Sequence, residues 1–331
     1  MRIPEPLPQG LTAGPFTVSE ADASGISRGR LRHARITRLS RSIRWVDSQD
    51  LADLQSMPPH RRYRAFTQVT PYSVASHYSA AEVWEFPMPH FADDGMLHIT
   101  RLTGMSPQRR GGVSGHTGQM FAGEICVVDG LSLTSRERTW LDLAQRLTVP
   151  DLTVIADHLI RIPRPEYENR TAPYATKESL QEVIDRHTGK RGIRKARLAL
   201  DLSRMGADSP PETLLRLALV DAGLPEPLVN APVPDTAGNM HHQRDLSYPE
   251  YRVAVEYEGA GHSEPGQVER DISREERIRA LGWTEVRISR RHMADGGGAA
   301  VNKVRSALIA AGWRLGPAEA SRNGRQCGSQ G

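Results

Sequence analysis

The sequence predicts a multi-domain α/β protein whose C-terminal part builds a helix-covered mixed sheet in the order helix, three strands, helix, strand. Three observations carry this prediction. From Arg252 to Gly259 the chain alternates, with Val253, Val255 and Tyr257 on one face and Arg252, Ala254, Glu256 and Glu258 on the other, the period of a half-buried strand. Helical stretches closed by glycine stand before and after this strand. Near the N-terminus, FTVSEADASGISRGRLRHARI holds two short helical patterns joined at Gly25, the spacing of a helix-turn-helix.

In chain order, residues 1 to 60 form the first domain, in which Ser27 is placed to cap the second helix. That helix carries Arg28, Arg30, Arg32 and Arg35, and ITRLSRSIRWV follows as a small wing with Arg38, Arg41 and Arg44. No acid interrupts residues 23 to 46, so the cluster suits phosphate contact, with Ser27 and Arg28 facing base edges. A solvated Arg face on a small helical cap is the structural alternative. Residues 61 to 160 form an α+β middle domain, whose SAA-x-x-W and TWLDLA helices have core spacing and are separated by short strands. Its His77, His98, His116 and His158 are scattered without the spacing of a ligand set. Residues 161 to 205 are a Pro-rich polar linker followed by the basic helix in RHTGKRGIRKARLALDLSRM.

Residues 206 to 313 form the C-terminal domain, and 314 to 331 a disordered tail. SPPETLLRLALVDAG starts a helix with Pro inside its first turn and ends at Gly223, and LVNAPV is the first strand. HHQRDLS is the second strand, and the Pro of YPEY presets a tight turn into the third. With that turn centred on Pro249 and Glu250, Asp245 stands opposite Ala254 and Glu256 is its diagonal neighbour. A helix from Gln267 to Leu281 then crosses to the strand WTEVRIS, which lies parallel to the third, and a last helix runs from about Ala299 to Ala311. Crowded carboxylates repel, so the pair is tolerable with a divalent cation such as Mg²⁺, or as a solvated acidic face. Glu212 has two readings: a capping box with Ser209, or a place on the face of Leu215 and Leu219 toward the sheet. His241 and His242 are neighbours on a strand and face opposite ways, so they form no ligand pair.

These residues in this order resemble the PD-(D/E)XK nuclease fold, and more closely the Vsr-like proteins grouped as domain of unknown function 559. The match covers roughly residues 206 to 292 and runs through SPPE, the DL-x-x-PE-x-R-x-A-VE-x-(D/E)G-x-x-H block, D-x-x-R and GW, here Glu212, Asp245, Glu256, Glu258, His262, Asp271, Arg274 and Trp283. The resemblance implies a restriction-endonuclease-like αβββαβ core and a Mg²⁺- or Mn²⁺-dependent endonuclease. Asp245 and Glu256 would be metal ligands, with Glu212 as a third; His262 would assist catalysis, and Arg274 would face a phosphate or pair with Asp271. The usual Lys two positions after Glu256 is Glu258 here, as is common in that family. This departure keeps open a non-catalytic reading, a DNA-binding regulator or antitoxin built on a degenerate nuclease fold. The first 45 or so residues resemble the winged helix of AbiEi-family antitoxins, and residues 61 to 160 the domain that follows it there. The implied partner is DNA, whether duplex, mismatched or branched, and RNA presents the same phosphate.

Composition adds bounds. Net charge is +4, but only four of the 43 basic residues are Lys, so Arg bias accounts for basicity as well as function does. Cys126 and Cys327 make no disulfide framework or metal motif, which fits a reducing cytoplasm. No leader-like apolar core or membrane-length apolar run occurs, so a cytoplasmic protein without a membrane partner is expected.

Overall fold

Short helix α1 (Gln9–Thr12) and strand β1 (Phe16–Thr17) lead into helix α2 (Val18–Ala23). A reciprocal cap starts α2: Glu20 N–H donates to Thr17 Oγ1 at 3.1 Å, and Thr17 N–H donates to the Glu20 carboxylate at 2.7 Å. The structure is a computed structural model that describes residues 7–46, 51–89, 94–165, 168–234, 240–258 and 280–314. Its helices and its mixed and antiparallel sheets divide into two units, Met1–Ile155 with Tyr174–Asp201, and Ala156–Pro173 with Leu202–Gly331. Among the described residues, no helix is long and apolar enough to cross a membrane.

After α2 the second expected helix is reduced to one 3₁₀ turn, Arg30–Arg32. Ser27 Oγ accepts from Arg30 N–H at 3.2 Å, but the residue capping the turn is Gly29, without a side-chain cap, and His33 is already extended. Leu31 is the one side chain of that turn in the core, and a longer helix would have little more to bury. Strands β2 (Ile36–Ser40) and β3 (Ile43–Val46) pair as a hairpin, and β1 adds to β3 on its other side.

The rest of the first unit is a five-stranded mixed sheet in the order β6-β5-β4-β8-β7. Its strands are β4 (Ser73–Ala75), β5 (Leu97–Leu102), β6 (Val113–Gly118), β7 (Ile125–Val128) and β8 (Leu131–Thr134). Helices α3 (Leu51–Ser56), α4 (Pro59–Gln68), α5 (His77–Val83) and α6 (Arg136–Leu143) accompany these strands. They are followed by α7 (Val149–Ile160), α8 (Lys177–Arg186) and α9 (Ile193–Leu202). Gly115 on β6 is required by packing, because a Cβ there would lie 2.2 Å from the Gln108 carbonyl oxygen. Buried Arg138 donates to Glu124 at 2.6 Å and to Asp142 at 2.9 Å, so α6 is anchored by ion pairs as well as by Trp140 and Leu141.

In the second unit, α10 (Pro210–Asp221) precedes β9 (Leu228–Pro234), β10 (Met240–Tyr248), β11 (Val253–Glu258), β12 (Thr284–Ser289) and α11 (Gly298–Ala310). The sheet order is β12-β11-β10-β9, antiparallel except for the parallel pair β11/β12. Leu246, Val253, Val255, Val286 and Ile288 point from one face into a core closed by Leu215 and Leu219 of α10 and Val304 and Leu308 of α11. The opposite face holds Ala254 against Trp283. The helix expected from Gln267 to Leu281 falls almost wholly outside the described residues.

One expectation is corrected here. The turn is a 3₁₀ turn, Pro249–Tyr251, followed by Arg252 in the left-handed region at φ +50°. Arg252 is therefore part of the connection and not on the strand face. Because the connection is longer than a two-residue turn, Ser247 and not Asp245 pairs with Ala254. The paired register runs from Tyr248↔Val253 to Leu246↔Val255, and Asp245 and Glu256 are the next residue on each strand.

Candidate functional site

The register aligns one polar row across the second unit's sheet. On β9, Asn230 lies between Val229, paired with Leu246, and Ala231, paired with Arg244, so it stands opposite Asp245. Glu256 follows on β11, and Arg287 on β12 pairs with Glu256 in the parallel register. Directly paired residues share a face, and the flanking residues Val229, Leu246, Val255, Val286 and Ile288 belong to the core side. Asn230, Asp245, Glu256 and Arg287 thus stand at neighbouring positions on the four strands, and Asn230, in the left-handed region at φ +45°, turns its side chain to the start of α10, donating to Gly206 O and, at 3.2 Å, to Asp208. Asn230 and Arg287 were not singled out by sequence reasoning; their signal is the alternation in LVNAPV and TEVRIS, one polar residue between apolar ones.

Both central carboxylates are oriented by donors. Tyr257 N–H donates to Asp245 Oδ2 at 2.7 Å. Arg244 Nη1 donates to Glu256 Oε1 at 2.9 Å, a pair with side chains only 4% and 12% exposed. Two carboxylates on adjacent strands are a donor set of the kind that Mg²⁺ or Mn²⁺ accepts, since such ions take hard oxygens from one or two carboxylates and complete their shell with water and phosphate. Arg244 offsets part of the negative charge, so the set fits a divalent cation less strongly than an unpaired dyad would.

Glu212 does not join that pair as a third converging ligand. Among the described residues, Glu212, Asp245 and Glu256 are not a group whose ligand atoms all lie within 4.8 Å of one another. Its Oε2 accepts Asp208 N–H at 2.9 Å, and its Oε1 accepts the Ser209 hydroxyl at 2.7 Å. This is a cap without reciprocity, because the Ser209 side chain accepts no bond from a backbone N–H of the helix. Asn230 Nδ2 also approaches Glu212 Oε2 at 3.4 Å, which links Glu212 to the end of the polar row. Burial raises the Glu212 carboxyl above its ordinary range against the pull of these hydrogen bonds. Glu258 is exposed and lies 3.4 Å from Arg287 Nη1, whose Nε also donates to Glu285 at 3.0 Å. His262, Asp271 and Arg274 lie outside the described residues.

In the first unit, Arg28 is held by Asp22 through Nε at 3.2 Å and Nη2 at 2.7 Å. Arg32 and Arg35 are exposed, Arg30 is half-buried, and Ser27 faces solvent while accepting from Arg30 N–H. Burial, then the charges of Arg38 and Arg28, hold the Arg44 guanidinium below its ordinary value; burial, then Arg41, does the same to Arg110. These are the signs of cations crowded on one small domain.

The middle histidines require a second correction. His98 and His116 lie on neighbouring parallel strands, and His77 opens α5 directly after β4, next to β5. Three ligand nitrogens, one from each, fall within 4.8 Å of one another, a group that can hold a metal ion. His158, on α7, is not in it. Sequence spacing gave no sign of the trio because its proximity is made by strand pairing. The available signal was a His at the same alternation parity in LHIT and VSGHTG.

No family model matches the chain, and no solved structure matches it. Two proteins of Mycobacterium tuberculosis strains, the uncharacterized proteins MT2308 and Rv2248, are each 30% identical to it over 162 residues, which is 49% of this chain and 56% of each relative. The chain thus spans about half the length of the curated relatives it matches.

Proposed function

We propose that the second unit is a Vsr-like, Mg²⁺- or Mn²⁺-dependent endonuclease acting on DNA, and that the Arg-rich winged-helix-like segment of the first unit binds the phosphate backbone. The observation that carries this reading is the pair of carboxylates on neighbouring strands of a mixed sheet, Asp245 accepting Tyr257 N–H at 2.7 Å and Glu256 held by Arg244 at 2.9 Å. A divalent cation held by Asp245 and Glu256 would supply Lewis acidity toward the scissile phosphate and an acidified water. The protein's own part is orientation and charge. Tyr257 N–H fixes Asp245, and Arg244 fixes Glu256. Arg287, paired with Glu256 in register and ion-paired with Glu258 and Glu285, would bring part of its positive charge to the side where the resembled motif has Lys, and His262, outside the described residues, would exchange a proton with the attacking water or the leaving oxygen.

Purified protein is expected to nick duplex, mismatched or branched DNA with Mg²⁺ or Mn²⁺, and Asp245→Ala to lower the rate at least about a hundredfold, since loss of a metal ligand exceeds the loss of a supporting residue. Unchanged cleavage by Asp245→Ala would sink the assignment. A second reading is favoured by the Arg244–Glu256 ion pair and by Glu258, namely a DNA-binding regulator or AbiEi-like antitoxin on the same fold. It predicts DNA binding in chelator and no calorimetric signal for a divalent ion that depends on Asp245 and Glu256.

A further inference from the structure

The trio of histidines in the first unit lies outside the proposed endonuclease chemistry and differs from it in donor type. Its scaffold is the parallel register His98↔Ser114 and Thr100↔His116, which sets His98, Ser114 and His116 on one face of the sheet. His77 is brought against them by the junction of β4 and α5: Ser76 N–H donates to the His98 carbonyl at 3.0 Å, and Thr100 Oγ1 donates to Ser76 Oγ at 2.7 Å. His77 itself is in the left-handed region at φ +49°, a conformation that costs a non-glycine residue about 1–2 kcal/mol and persists where surroundings hold it. His77 and His116 stack with ring centroids 4.0 Å apart, and His98 Nδ1 lies 2.9 Å from His116 Nε2.

Proton accounting turns the His98 lone pair to the centre. Asp94 lies 2.9 Å from His98 Nε2 and takes its N–H, which assigns the proton to that nitrogen and leaves Nδ1 with its lone pair toward His116. A carboxylate behind a ligating imidazole is the usual support of a metal site. Asp142, whose charge bears on His77 and His116, has Oδ1 held by Arg138 and Lys190, while its buried Oδ2 accepts no hydrogen bond among the described residues. Such an oxygen suits the proton of a metal-bound water.

We propose that His77, His98 and His116 bind one divalent transition-metal ion of the zinc class, with Asp94 as positioning residue and a fourth coordination position left to water. Three imidazoles select Zn²⁺ and its neighbours over Mg²⁺, which prefers oxygen. Tetrahedral bonds of about 2.0–2.1 Å separate ligand nitrogens by roughly 3.3 Å, so the His98–His116 pair at 2.9 Å opens slightly while the wider separations, all within 4.8 Å, close.

The test uses the full chain, stripped with chelator and titrated with Zn²⁺ against a chromophoric competitor, with Co²⁺ as a spectroscopic probe. One equivalent of Zn²⁺ should bind, Co²⁺ should give the visible bands of a tetrahedral site, and millimolar Mg²⁺ should not compete. His116→Ala, the least buried ligand, should weaken binding at least about a hundredfold, and Asp94→Asn about 10–100-fold. Asp245→Ala should bind Zn²⁺ as the wild type does, which separates this site from the proposed endonuclease centre. Should His116→Ala lose its fold by circular dichroism, Asp94→Asn decides the matter. Absence of stoichiometric Zn²⁺, or affinity unaltered in Asp94→Asn, overturns the proposal and leaves the trio a buried hydrogen-bonded cluster.

Discussion

Arg244 and Glu256 show how one ion pair can serve both structure and chemistry. Arg244 is nearly buried, and its guanidinium is a cation that Glu256 faces within the protein. Removing one partner of a buried pair commonly costs about 3–5 kcal/mol, because the remaining charge keeps its desolvation penalty without its main compensation. Arg244→Ala should therefore lower the urea midpoint markedly in chelator. If Asp245 and Glu256 hold a divalent cation, millimolar Mg²⁺ should restore part of that loss in Arg244→Ala and do little for Arg244→Ala combined with Glu256→Gln. Equal stability of Arg244→Ala with and without Mg²⁺ would speak for the non-catalytic reading. The identity of this carboxylate pair was legible from alternation alone. Its register was not, since nothing in YPEYR announces that Arg252 adopts a left-handed conformation that glycine or asparagine would normally occupy.

Helix α10 illustrates a cap that carries a pH dependence. Glu212 is buried, and burial raises its carboxyl above the ordinary value of 4.5 despite its hydrogen bonds to Asp208 N–H and Ser209. A carboxyl with a raised folded-state pKa binds its proton more tightly in the native than in the unfolded chain. Its contribution is then fully present below about 4.5 and is lost as pH rises through the folded value. Glu212→Gln keeps one acceptor for Asp208 N–H and an amide donor toward Ser209, without the charge. Its unfolding free energy should accordingly fall less than that of the wild type from pH 4 toward neutrality, and denaturant titrations at several pH values would show the difference; identical pH profiles would contradict it. The same helix was legible at its start from Pro210, Pro211 and Glu212, and at its end from Gly223. By contrast, the pattern after Gly25 promised a helix from charged residues and capping alone, and with only Leu31 to bury it became a single 3₁₀ turn.

For the molecule as a whole, local charge matters more than the net value of +4. Residues 23 to 46 hold seven arginines and no acid, and Asp22 neutralises part of that segment by gripping Arg28 through two hydrogen bonds. A basic segment of this kind should bind duplex DNA chiefly by releasing counterions, so that log K falls linearly with log salt concentration at roughly 0.9 per neutralised phosphate. Replacing Arg32, Arg35 and Arg38 together by Ala should reduce that slope by up to about 2.7, with similar losses on unrelated sequences, as phosphate contacts carry no base information. Arg28→Ala should alter the slope less, because its charge is already engaged by Asp22 and the substitution leaves that carboxylate behind. Fluorescence anisotropy of a labelled duplex over a series of NaCl concentrations measures both slopes. A triple variant with an unchanged slope would mean that these arginines are a solvated face, and DNA contact would then have to be sought elsewhere on the chain.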